Sequence, residues 1–303
     1  MHYQKRQGVL LVSHLISAKA KLRRADTHIA DLDRALGAFL ETRPFTTRSD
    51  IIANVGQVWR FVPTAIPLEI ESIVADAVHN LRTPLDKMLT AYADHIADVS
   101  RKGHRHKGIG FPTGANVNAF ERSLADQKKH FPAAVIDFLK DAEPYRGGKG
   151  ALIFAMHDLD IGEKHHPLLM PIILGSRKKQ LGTMKTSQGF PLRWGSRSGS
   201  HMVPASHARP GQWDMVVPDG VLKPVYRTGP SGERFLEFST PYDDMEFLTT
   251  TPGTVVDMDF QPNLSVGFYD IPDFEGQPIV DVLKLARSMV EEILASFECR
   301  FLI

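Results

Sequence analysis

The sequence predicts an α+β protein: a helical bundle with long antiparallel helices, carrying a β-rich insertion and closed by a C-terminal helix. Three observations lead there. Apolar residues recur at helical spacing over two long segments, about 8–42 and 68–99. From residue 168 to about 277 the texture changes to short apolar runs between glycine, proline and polar clusters, which read as strands and turns. Helical spacing then returns over 278–297. The expected organisation is a helical domain over 1–167, with the helix 278–299 packing on it, and a β-rich insertion over 168–277.

Each element has its own warrant. In the first helix Leu11, Leu15, Ala18, Leu22, Ala25, Ile29, Leu32, Leu36 and Phe39 recur at alternating steps of four and three. It ends at Thr42-Arg43-Pro44, because the residue before proline resists helical geometry. The branched and aromatic run IIANVGQVWRFV (51–62) reads as strand. The second helix gathers Ile73, Val74, Ala77, Val78, Leu81, Leu85, Met88, Leu89 and Tyr92 on one face, with Pro84 inside it. Shorter helices follow at about 116–128, 132–141 and 149–163, the last striped by Leu152, Ala155, Met156 and Leu159. LLMPIIL, WDMVV, RFLEFS and TVVDMDF supply strands, and Val282, Leu285, Met289 and Ile293 mark the face of the closing helix.

Composition narrows the class. With 43% hydrophobic and 23% charged residues over 303 positions, the chain reads as an ordinary soluble globular protein. Its single cysteine, Cys299, excludes an intramolecular disulfide framework and a cysteine-based zinc site, and suits a reducing cytoplasm. Lys5 and Arg6 before GVLLVSHLISAKA mimic a signal peptide, but the helical spacing runs straight through the apparent cleavage site. No stretch approaches the ~18 apolar residues of a membrane span. A cytoplasmic protein with no membrane partner is expected.

Net charge is only +1, yet residues 171–230 carry nine basic against two acidic side chains, and 231–303 carry four against fourteen. The two regions either neutralise each other across a shared sheet or form a polyanion-binding face. The basic run RKGHRHK (101–107) could likewise touch nucleic-acid phosphates or be a solvated loop. YRGGKGAL (145–152) opens a helix with glycines and Lys149, which fits an anion seat or a plain turn and cap.

Two polar motifs carry the candidate chemistry. His79, Arg82 and Asp86 are spaced by three and four, so they form one stripe bordering the apolar face of the second helix. The segment HDLDIGEKHH (157–166) places His157, Asp160 and Lys164 on one side of its helix and Glu163 on the apolar stripe, where a carboxylate needs a partner. Arg82 is the natural one if the helices pack together. Catalytic candidates are therefore His79, Arg82, Asp86, Glu163, Lys164 and His165, and Arg82, His157, Lys164 and His165 are the ligand-binding set.

Several readings stay open. A metal could be held by His157, Asp158, His165, His166 and His79, but no established ligand spacing appears, so neither metal nor cofactor is expected. Histidine acid-base chemistry beside Arg82 and Lys164 would suit metal-independent phosphodiester hydrolysis, for instance of RNA. The same groups could hold an anionic or nucleotide-like small molecule, or merely lock the helices together. Pairing between chains through the long helices is a further expectation. No nucleophile elbow, EF-hand loop or dinucleotide fingerprint is present.

AVHNLRTPLDKML (77–89), FP at 111–112, EPYRGG (143–148) and LDIGEKHHPLL (159–169) together resemble an uncharacterised bacterial family with paired HNLR-x3-D and (D/E)KH motifs. The resemblance covers about 65–170, and implies that His79, Asn80, Leu81, Arg82, Asp86, Glu163, Lys164 and His165 occupy the family's marked positions. It implies no activity. Where the family usually has histidine, aspartate and arginine, this chain has Lys87, Glu163 and His166. The family's arginine-to-histidine spacing is distantly similar to the motif of HEPN ribonucleases, and Lys87 puts that mechanism in doubt at this helix.

Overall fold

The structure, a computed structural model, describes residues 2–96, 108–162, 169–174, 183–186, 191–194, 212–214, 221–228, 234–239, 246–250, 252–253, 256–259, 264–268, 274 and 277–302. Within them the chain is α+β. Its helices are α1 (His2–Glu41), α2 (Leu68–Ile96), α3 (Val117–Gln127), α4 (Ala133–Asp141), α5 (Ala151–Gly162) and α6 (Ile279–Phe301). The strands are β1 (Phe45–Ile52), β2 (Gly56–Pro63), β3 (Leu169–Leu174), β4 (Thr183–Thr186), β5 (Pro191–Trp194), β6 (Gln212–Asp214), β7 (Val221–Thr228), β8 (Arg234–Ser239), β9 (Glu246–Thr250), β10 (Val256–Asp259) and β11 (Leu264–Phe268). No helix among the described residues is long and apolar enough to cross a membrane.

The core is where the helical stripes meet. Leu15, Ala18, Leu22, Ala25, Ile29, Leu32 and Leu36 of α1 are buried in one cluster with Val74, Ala77, Val78, Leu81, Leu85, Met88 and Leu89 of α2. Full burial of each larger side chain stabilises the fold by about 1.5–3 kcal/mol, so this seam dominates the helical part. Helix α2 continues through Pro84 without interruption. Helix α6 adds Ile279, Val282, Leu283, Ala286, Val290, Leu294 and Phe297 to the same cluster. Its phase corrects the expected one: Leu285 is 51% exposed, and Met289 and Ile293 are only partly buried. The helix is apolar on more than one side, and the side bearing Ile279, Leu283, Ala286, Val290 and Phe297 is the one that meets α1 and α2.

The run 51–62 is a correction too, since it divides into a hairpin in which β1 pairs antiparallel with β2, Phe45 opposite Pro63 and Ile52 opposite Gly56. The reversal is made by Asn54 at φ 62° and Gly56 at φ 126°, with Val55 N donating to Ile52 O at 3.1 Å. Asparagine and glycine are the residues that tolerate such left-handed backbone. Three antiparallel sheets form, ordered β1-β2-β9-β5, β10-β4-β6 and β11-β3-β7-β8. The first takes strands from both sides of residue 167, and Leu169, Val266 and Phe268 from the third are buried in the same cluster as the helices.

Between α2 and α3 the segment 108–114 lies against the α4–α5 connection. Gly114 N donates to Pro144 O at 3.2 Å and Gly114 forms a parallel bridge with Tyr145, whose ring lies 5.5 Å from that of Phe120. A Cβ at Gly114 would stand 2.2 Å from the backbone nitrogen of Phe120, which cannot yield as a flexible side chain would. Gly114→Ala is therefore expected to destabilise the protein by about 2–4 kcal/mol, read as a lowered midpoint in chemical denaturation.

Candidate functional site

Helix α2 supplies the foundation of the site through a spacing rule. On a helix, positions four apart lie one above the other, so Arg82 and Asp86 project from the same side. Arg82 Nη1 donates to Asp86 Oδ1 at 2.8 Å. The pair does not close on itself. Arg82 Nη2 donates to Phe111 O at 2.9 Å, and Phe111 N donates to Asp86 Oδ1 at 2.7 Å. One donor and one acceptor from α2 thus hold both backbone groups of Phe111, while its ring is buried and lies 6.0 Å from the Arg82 guanidinium.

The third arm of Arg82 reaches α5. Arg82 Nε donates to His157 Nδ1 at 3.2 Å. The arginine is only 5% exposed, so its charge is removed from water and needs these partners. Asp86 is nearly half exposed, which makes the ion pair alone a modest contributor. What distinguishes the site is that two of the guanidinium's donors tie a separate segment to α2, Nε the helix α5 and Nη2 the backbone at Phe111, while Nη1 stays within α2 on Asp86.

His157 is held neutral. Burial pushes its imidazole below the usual histidine range near 6.5, the Arg82 charge adds to that, and Asp86, Asp160 and Asp158 act in the opposite direction. An arginine N–H can only donate, so Nδ1 is the acceptor and the proton of the neutral ring sits on Nε2. In this state Nδ1 has no lone pair left for a substrate proton.

At the rim, His79 Nδ1 lies 3.1 Å from Asp160 Oδ1, linking α2 to α5 a second time. The His79 side chain is 54% exposed. Its Nε2 lies 3.3 Å from Thr83 Oγ1, and the Thr83 hydroxyl donates to His79 O at 2.7 Å. The structure thus brings His79, Arg82, Asp86, His157 and Asp160 together. Glu163, Lys164, His165 and His166, and the basic run 101–107, lie outside the described residues. Asn80 and Leu81 do not join the cluster's hydrogen bonds: Leu81 is core, and Asn80 Nδ2 donates to Asp76 O at 2.7 Å while its buried Oδ1 lacks a donor.

Two participants carried no sequence signal of their own, Phe111 through its backbone and Thr83 through its hydroxyl. The pair FP at 111–112 was the available cue for the first. In the turn before α5 the Glu143 carbonyl accepts from Tyr145 N and Gly150 N, and its carboxylate lies 3.7 Å from Lys149 Nζ. Among the described residues no group of three His, Cys, Asp or Glu side chains could hold a metal ion.

No protein-family model, curated protein or solved structure matches the chain. The geometry alone carries the argument from here.

Two outcomes follow for stability. Arg82→Ala removes all three arms and leaves the Phe111 carbonyl without its donor, and is expected to lower stability by about 2–3 kcal/mol, or roughly 3–5 °C in melting temperature. Arg82→Lys keeps the charge without the planar fork and recovers only part of this. For His157, a folded-state pKa below the unfolded 6.5 means that the unfolded chain binds the proton first as pH falls. Its contribution is complete above about pH 6.5, declines as pH drops below that, and levels off once the folded-state pKa is passed. His157→Asn, which keeps an acceptor near Nδ1 but does not titrate, should flatten that part of the stability-versus-pH curve.

Proposed function

We propose that the cluster is a structural lock, and that the protein works as a cytoplasmic interaction or scaffold protein through surfaces that this lock holds in place. The observation that carries this reading is the engagement of Arg82: buried, with Nε, Nη1 and Nη2 all directed at groups of its own chain. A ligand seeking that guanidinium would have to displace internal partners. The surrounding charge agrees, since Asp86, Asp158 and Asp160 outnumber the single buried arginine and repel an anion.

The same reading takes the helical part to be a bundle of long antiparallel helices with the strands as its β-rich insertion. Two ion pairs support it: Lys19 with Glu298 at 2.6 Å and Asp26 with Arg287 at 2.8 Å, positions that rise along α1 as they fall along α6. A HEPN-like ribonuclease is less well supported, because the His157 lone pair at Nδ1 is engaged and Lys87 stands where the motif wants histidine.

One observation favours a second reading. His79 is exposed at the rim, so an anionic or nucleotide-like ligand, or RNA, could be met by His79 together with Lys164 and His165 while the inner lock stays closed. A thermal-shift series on wild type, Arg82→Ala and His79→Ala, with ATP, inorganic phosphate and a short RNA, separates the readings. The lock predicts a sharply lower melting temperature for Arg82→Ala alone and no shift with any of the three additives. A shift in wild type that His79→Ala removes transfers the conclusion to the ligand reading. RNA cleavage that survives EDTA and disappears in His79→Ala or His165→Ala would overturn the lock as the protein's main role.

A further inference from the structure

The first sheet ends on β1, which among the described residues is paired on one side only, with β2. From Thr46 to Ile52 its outer edge meets no further strand among the described residues, and such an edge is a template for another strand. This one has no proline, glycine or lysine to blunt it, and carries Ile51 at 70% exposure.

Its charges point to the occupant. Arg48 and Asp50 flank Ser49 on one face, with the Arg48 side chain 70% exposed. Asp50 is held in place from β2, where Arg60 Nη1 donates to its Oδ2 at 2.7 Å, while Arg48 Nη2 reaches its Oδ1 at 3.0 Å within the strand. In an antiparallel pair the residues directly opposite share a face, so two copies of one strand related by a twofold axis must have that axis at a residue. With the axis at Arg48 or at Asp50, that residue opposes its own copy and like charges meet. With the axis at Ser49, Arg48 lies opposite Asp50 of the second copy, and Asp50 opposite its Arg48. Thr47 then lies opposite Ile51, covering the exposed isoleucine with a methyl group. The strand is complementary to its own reversed order.

We propose that β1 pairs antiparallel with β1 of a second copy of this chain about a twofold axis at Ser49, joining two four-stranded sheets edge to edge. The interface is narrow, and its dissociation constant is on the order of micromolar.

Sedimentation of the full chain tests this. Wild type should approach twice 33.8 kDa at tens of micromolar protein, well above that dissociation constant. Arg48→Glu and Asp50→Lys, each checked for native circular dichroism, should raise the dissociation constant about tenfold or more by opposing like charges at both symmetric pairs. An equimolar mixture of the two variants restores opposite charges at both pairs and should dimerise again. Wild type that stays monomeric, dimers that persist in Arg48→Glu, or a mixture that stays monomeric would each overturn the proposal. Should Asp50→Lys not fold, Ser49→Cys in a Cys299→Ser background decides: oxidation should link two copies through position 49, and failure to link sinks this register.

Discussion

Everything around the site depends on one buried guanidinium that cannot be left alone. A positive charge removed from water is tolerable only when its donors are matched, and the matching of Arg82 draws in Asp86 from its own helix, His157 from α5 and the backbone of Phe111. Two of those contacts tie α5 and the segment at Phe111 to α2. The consequence reaches His157, whose pKa is lowered first by burial and then by the arginine, and whose tautomer is set by the arginine it accepts from. It also reaches the rim, because the His79–Asp160 pair can form only where α2 and α5 are already held side by side.

Apolar spacing made most of the helical part legible. Leu15, Ala18, Leu22, Ala25, Ile29, Leu32 and Leu36 of α1 and Val74, Ala77, Val78, Leu81, Leu85, Met88 and Leu89 of α2 are buried as the spacing predicts, with Phe39, Ile73 and Tyr92 partly buried at the edges. Helix α6 was harder: Leu285, Met289 and Ile293 form an apolar row as regular as the true one, and only the tertiary partner decides which row turns inward. The hairpin was hidden for another reason. Ile51 to Val62 is so rich in branched and aromatic residues that it reads as one strand, although Asn54 and Gly56 supplied the turn signal.

The site was half legible. The helical spacing put His79, Arg82 and Asp86 on one stripe and His157 with Asp160 on one side of their helix, but it offered Glu163, not His157, as the partner of Arg82. The expected Arg82–Glu163 pairing falls outside the described residues, while the partners that Arg82 does have include a main-chain carbonyl. A backbone group leaves little mark in a sequence, since any residue but proline at position 111 would offer the same N–H and C=O. The adjoining Pro112 is the one local cue, since a residue before proline is biased away from helical geometry.

The packing of α6 on α1 has a consequence in time. Asp26 and Arg287 are 261 residues apart, and Lys19 and Glu298 are 279 apart. The apolar face of α1 therefore waits for this neighbour until the long stretch of chain leading to α6 has been synthesised. Contacts of such long range make folding slow and leave the early helices sticky in the interval. A growing chain of this kind relies on the α1–α2 seam, which can close after roughly the first hundred residues, to stay compact until α6 arrives.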